Sequence, residues 1–102
     1  MPRRGEVWLV DLGLAGKTPP AVILSKPFGD ADRALITVIP HTLSLRGSQF
    51  EIPIASRFLR GGAFLVQNPV TIPAAKAESL LGRLSASQIT QIEAGVRDWL
   101  CL

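Results

Sequence analysis

The sequence predicts a small, mainly β fold: about five or six short strands in an antiparallel sheet or barrel, with one C-terminal α-helix packed on it. Three observations predict this. Short runs rich in Val, Ile, Leu and Phe recur between residues 6 and 84, separated by glycines, prolines and polar clusters. None of these runs is long enough for an ordinary helix. From residue 85 onward the period changes, and apolar residues recur at helical spacing almost to the end.

Glu6 to Leu12 (EVWLVDL) opens the chain as a β-branched and aromatic strand. The glycines and prolines of residues 13–20 end it. Ala21 to Leu24 is a short, wholly apolar strand, and Pro27-Phe28-Gly29-Asp30 turns the chain back. Ala34 to Ile39 forms a third strand. Phe50 to Ile54 alternates Phe50, Ile52 and Ile54 against Glu51 and Pro53, so one face is buried and one is wet. Pro53 has no N–H to give to a neighbour, which places this strand at an edge or a bulge. Ala63 to Ile72 reads as one strand bent at Pro69, and Leu80 to Leu84 as a short sixth.

Ser85 and Gln88 stand three residues apart, the spacing of a capping box. Ile89, Ile92, Val96, Trp99 and Leu100 then form an apolar stripe, whose natural cover is the sheet. Trp99 is expected in the core as part of that stripe.

The 102 residues read as one domain, 1–102, and 47% hydrophobic content can fill one core. Eleven Lys and Arg against eight Asp and Glu leave a net charge of +3, which suits an anionic partner such as nucleic acid. Eight of the eleven cations are arginine, whose planar fork of donors matches a phosphate better than the point charge of lysine. A single cysteine excludes an intramolecular disulfide. No apolar run approaches the ~20 residues of a membrane span, and no leader is legible, so the expectation is a soluble, cytoplasmic protein.

Function is expected in the loops at 13–20, 41–49 and 55–62, which exceed the usual hairpin length of roughly two to five residues. Gly16-Lys17-Thr18 is too incomplete for a phosphate-cradling P-loop, because Asp11 replaces its first glycine and Pro19-Pro20 blocks the helix that should follow. Lys17 is then either a solvated lysine or a contact for backbone phosphates. One His and one Cys build neither a closed metal site nor a Ser-His-Asp triad. The segment His41-Thr42-Leu43-Ser44-Leu45-Arg46-Gly47 is richer. It reads either as an ordinary turn or as a phosphate site, in which the Thr42 hydroxyl donates to an oxygen and Arg46 pairs with it.

Four stretches in this order resemble the MazF/PemK family of toxins from toxin–antitoxin pairs. They are RRGEVWLVDL (3–12), GKTPPAVILS (16–25), ITVIPHTLS (36–44), and AFLVQNPVTIP with the C-terminal LLGRLSASQITQIEAGVRDWLCL. The resemblance covers nearly the whole chain and implies a single toxin domain with an SH3-like β-barrel, acting as a homodimer. It implies a sequence-selective endoribonuclease that needs no metal or other cofactor. Single-stranded RNA is its substrate, and the RNA's own 2′-OH attacks the adjacent phosphate, leaving a 2′,3′-cyclic phosphate and a 5′-OH. It also implies a cognate antitoxin that lays a disordered acidic segment over the groove.

Carried over by position, Thr42 holds the scissile phosphate and Gln67 lines the groove. The family arginine falls on Pro19, which carries no donor. The expected replacement is Arg46 with Thr42 at the scissile phosphate. Lys17, Thr18, His41 and Ser44 are expected to bind the RNA around it, and cleavage is expected to be attenuated. Two alternatives stand beside this reading. One is a gyrase poison of the same barrel acting through the apolar tail Trp99-Leu100-Cys101-Leu102, and the other is an RNA-binding barrel without catalysis.

Overall fold

The computed structural model describes all 102 residues. Seven strands and one helix follow in chain order: β1 (Glu6–Val10), β2 (Pro20–Ile23), β3 (Leu35–Thr42), β4 (Glu51–Ile52), β5 (Ala63–Leu65), β6 (Val70–Pro73), β7 (Ala77–Arg83) and α1 (Ala86–Leu100). A three-residue 3-10 turn, Ala74–Lys76, joins β6 to β7. Every pairing is antiparallel, and the order across the sheet is β4-β5-β3-β2-β1-β7, with β6 also paired to β3. The end strands β4 and β7 do not pair with each other, so the curled sheet is barrel-like without closing.

The stretch expected as one bent strand, 63–72, is two strands. Residues 66–69 turn out of the ladder around Pro69, and the Asn68 N–H donates to the Leu65 carbonyl. β5 then pairs with the C-terminal end of β3, and β6 with its N-terminal half. β7 starts three residues earlier than its apolar run, because pairing with β1 extends it through Ala77, Glu78 and Ser79. β4 is a two-residue edge strand that ends before Pro53, as a missing N–H requires.

Side chains of successive residues enter two different cores. Val22 packs with Val7, Ile39, Ile54, Phe64, Val66, Leu84 and Ile92. Its neighbours Ala21 and Ile23 pack instead with Val10, Ile36 and Val38. That is why β2 has no polar residue to alternate with: both of its faces are covered. Helix α1 caps the first core through Ile92, with Ile89 and Val96 beside it. The capping box forms as expected: the Ser85 hydroxyl accepts from the Gln88 N–H, and the Gln88 side chain accepts from the Ser85 N–H. Trp99 departs from its expected place. It stays 39% exposed and lies edge-on to Phe50, with ring centroids 5.2 Å apart, because the helix outruns the core beneath it.

Glu6 is the one acidic side chain buried in the molecule. Burial pushes its carboxyl up, but three donors outweigh burial and hold it below the ordinary 4.5. Trp8 Nε1 donates at 3.1 Å, the Arg3 N–H at 2.7 Å and the Arg83 guanidinium at 3.1 Å. A folded-state pKa below the unfolded value stabilises the fold above pH 4.5, and that contribution is lost as pH falls through the lowered value. Glu6→Gln should therefore destabilise the protein at pH 7 by roughly 1–3 kcal/mol. Urea unfolding should also show the variant losing less stability than the parent when pH is lowered past 4.5. Parallel losses in the two proteins would refute this assignment.

Candidate functional site

The three long loops meet over the C-terminal end of β3. They enclose an open cavity of about 670 Å³. Leu12, Leu14, Lys17, Thr18, Pro19 and Pro20 line it from the β1–β2 loop, and Pro40 through Ser44 from β3 and the turn after it. Phe58, Leu59 and Arg60 close it from the β4–β5 loop, with Leu65 and Asn68 beyond. The lining contains two cations, Lys17 and Arg60, and no carboxylate.

Each wall has a local cause. In the β1–β2 loop, the Lys17 N–H donates to the Leu14 carbonyl at 3.1 Å, and Gly16 takes the positive φ that this turn needs. The Thr42 hydroxyl oxygen accepts the Ser44 N–H at 3.0 Å. Accepting there occupies a lone pair and leaves the hydroxyl proton free to donate elsewhere. Ser44 is exposed on the same turn. His41 is only 7% exposed, edge-on to Phe64 at 5.1 Å, and its Nε2 has no hydrogen-bond partner. Burial pushes the imidazole below its ordinary 6.5, partly opposed by the Gly61 backbone, so at pH 7 it is neutral and adds no positive charge.

Arg46 and Gln67 are exposed and lie outside the cavity lining. Arg46 takes part in a different structure. The N–H groups of Arg46, Gly47 and Ser48 all donate to the Glu51 carboxylate, each at 2.9 Å. The Arg46 N–H is the largest influence holding the Glu51 carboxyl below its usual range. The conspicuous polar turn is thus organised by its backbone around Glu51, while Arg60 and Asn68 occupy the cavity. Neither was singled out in the sequence, although Arg60 lies in a flagged loop and directly precedes Gly61-Gly62.

That glycine pair explains how the third wall reaches Thr42. Both residues have positive φ, 56° and 71°. A Cβ on Gly62 would lie 2.4 Å from the Thr42 carbonyl oxygen and 2.6 Å from His41 Cε1. The returning chain is pressed against the end of β3, and only glycine fits. Gly62→Ala should destabilise the protein by about 1–3 kcal/mol, read from thermal or urea unfolding, whereas Gly47→Ala, also at positive φ but with open space around it, should cost less. Equal losses would show that the close approach carries no cost.

No curated protein matches the sequence closely enough to count as a relative. Solved structures match the fold over almost all of the chain. An endoribonuclease in complex with its cognate antitoxin, from a mycobacterial species, superposes with a TM-score of 0.84 at 20% identity, covering 100% of this chain and 97% of that one. MazF of Deinococcus radiodurans gives 0.81 at 20% identity over 99% and 97% of the two chains. The Mycobacterium tuberculosis toxin MazF-mt6 gives 0.80 at 25% identity over 95% and 97%. Residues 3–100 match the family described as PemK-like, MazF-like toxins of type II toxin–antitoxin systems, and the chain belongs to that family.

Proposed function

We propose that this protein is a sequence-selective, metal-independent endoribonuclease toxin that cuts single-stranded RNA. The observation that carries the reading is the cavity: two cations and several hydroxyls, with no acidic side chain, enclosed by apolar walls. Such a lining repels no phosphate and offers donors to its oxygens. Family membership and the endoribonucleases among the structural neighbours support the same reading. The donor set does not suit a divalent cation, since it holds no carboxylate and one buried imidazole.

In this reading the 2′-oxygen of the RNA bonds to the adjacent phosphorus and the bond to the 5′-oxygen breaks. The 2′-OH proton passes to water in the open cavity and the departing 5′-oxygen takes one from water, leaving a 2′,3′-cyclic phosphate and a 5′-OH. Thr42 donates its free hydroxyl proton to a non-bridging oxygen. Lys17 holds a flanking phosphate, and Thr18 and Ser44 add hydroxyl donors. His41, neutral and buried, shapes the floor beside Phe64. Arg46 and Gln67, outside the lining, meet RNA beyond the scissile linkage. Pro19 lines the cavity without a side-chain donor, which attenuates the reaction. The cavity also suits an acidic antitoxin segment. The active form is a homodimer in the cytoplasm.

The exposed tail favours one competing reading. Trp99, Leu100 and Leu102 are 39%, 48% and 81% exposed, a surface suited to a protein target such as gyrase. Incubation with a long single-stranded RNA in excess EDTA separates the possibilities. Discrete cuts with cyclic-phosphate and 5′-OH ends are expected, and Thr42→Ala should slow them by about 10²-fold. Intact RNA together with trapped gyrase–DNA complexes would establish the poison instead. RNA that is bound and never cut would leave a non-catalytic barrel.

A further inference from the structure

We propose that Arg60 is a catalytic residue of this site, its guanidinium bridging the non-bridging oxygens of the scissile phosphate opposite the Thr42 hydroxyl donor. The proposal rests on the ribonuclease reading above and deepens it. Three independent features of the structure carry it.

The first is charge accounting. Three cations are paired, Arg4 with Glu93, Arg83 with Glu6 and Lys76 with Asp11, and of the eight that are not, only Lys17 and Arg60 line the cavity. Arg60 has no carboxylate within ion-pair distance and no hydrogen-bond partner in the protein, yet it is the sole guanidinium lining the cavity. An unpaired arginine in the same lining as a free hydroxyl proton, with no acid among the lining residues, suits an anion.

The second is placement. Arg60 is exposed, but the chain on both sides of it is held. Before it, Ser56 and Leu59 pair as an isolated bridge, and Phe58 and Leu59 pack against the larger core. The Phe58 ring lies so close to β7 that a Cβ on Gly82 would meet it at 2.4 Å. After it, Gly62 is pressed on the Thr42 carbonyl. The backbone of Arg60 is therefore clamped within two residues of the strand end that presents Thr42. Lys17, by contrast, sits in an exposed glycine-flanked loop.

The third is chemistry. As the 2′-oxygen attacks, negative charge grows on the non-bridging oxygens of the phosphorus. Two parallel N–H donors from one planar group strengthen as that charge grows, which a single ammonium cannot reproduce. His41 cannot take this role, because it is neutral and buried.

The test uses the full-length protein. Cut sites are first mapped on a long RNA, and single-turnover cleavage is then measured on a matching oligonucleotide, with binding measured on its 2′-O-methyl analogue, which cannot react. Arg60→Ala should lower the single-turnover rate by about 10²–10³-fold at saturating protein while weakening binding by less than about tenfold. Arg60→Lys should recover only part of the rate. Arg33→Ala, which removes the same charge from an exposed position on another loop, should leave the rate unchanged. The unfolding midpoint of Arg60→Ala should match the parent, since the side chain has no partner to lose.

A rate within about threefold of the parent would overturn the role of Arg60 while leaving the ribonuclease reading intact. So would a loss that disappears when protein is raised to saturation, which would make Arg60 a binding contact only. Full recovery with Lys would overturn the bidentate geometry. A parent protein that never cuts RNA would sink both readings together.

Discussion

Everything near the cavity depends on the fixed position of β3. This eight-residue strand is the only element that pairs with three others: β6 along Leu35–Val38, β2 along Val38–Pro40 and β5 at His41–Thr42. Its residues are also shared between the two cores, with Ile36 and Val38 in one and Ile39 in the other. A strand buried on both faces cannot slip by one residue without exchanging every core side chain for its neighbour. Pro40 pairs with Ala21 of β2, and on the opposite edge it falls between Val38, the last residue paired to β6, and His41, the first paired to β5, so its missing N–H can lie at that change of partner. The hydroxyl of Thr42 therefore emerges at a fixed place, two residues past a buried corner.

The loops are then selected by what they can do around that fixed end. The β3–β4 turn uses Glu51 to collect three backbone N–H groups, which keeps it compact without spending any side-chain cation. The β4–β5 loop uses two glycines at positive φ to fold back onto Thr42. The β1–β2 loop is tied down at its ends, with the Val10 N–H donating to the Pro19 carbonyl at 3.0 Å and the Asp11 N–H to Lys76 at 2.9 Å. Between those ties it stays exposed. One wall of the cavity is thus held by the glycine fold-back, one is braced by a carboxylate, and one is tied at its ends and exposed between them.

Much of this was legible in the sequence, for reasons that are physical. β2 was readable because a strand covered on both faces has no polar residue, and α1 because its capping box and stripe are local. Thr42, Lys17, Thr18, His41 and Ser44 were readable as neighbours because they flank strand ends that any antiparallel pairing brings together. Arg60 and Asn68 were not, because their approach depends on a fold-back at Gly61-Gly62 and a turn at Pro69 that no periodicity records. Arg46 looked the better cation because it shares a segment with Thr42. In the structure Glu51 holds the Arg46 backbone, and Arg46 is not among the residues that line the cavity. Trp99 fitted the helical stripe, but a stripe says nothing about where the underlying core ends.

The lining also limits which kind of catalysis it can support. General acid–base catalysis by a positioned side chain typically contributes about 10²–10⁴-fold and needs a group that titrates near the working pH. The cavity offers no carboxylate, and its single imidazole is largely buried and neutral at pH 7. Positioning of the linkage and stabilisation of growing negative charge are the effects that its hydroxyl and cation donors can supply. Both depend on donors that are already in place before the substrate arrives. In the proposed reading positioning falls to the hydroxyl at the end of β3, because a threonine on a strand paired to three others loses little freedom on binding. In the same reading charge stabilisation falls to Arg60, whose backbone is held on both sides. A site of this kind suits a substrate that carries its own nucleophile, and RNA, with a hydroxyl beside every phosphate, is such a substrate.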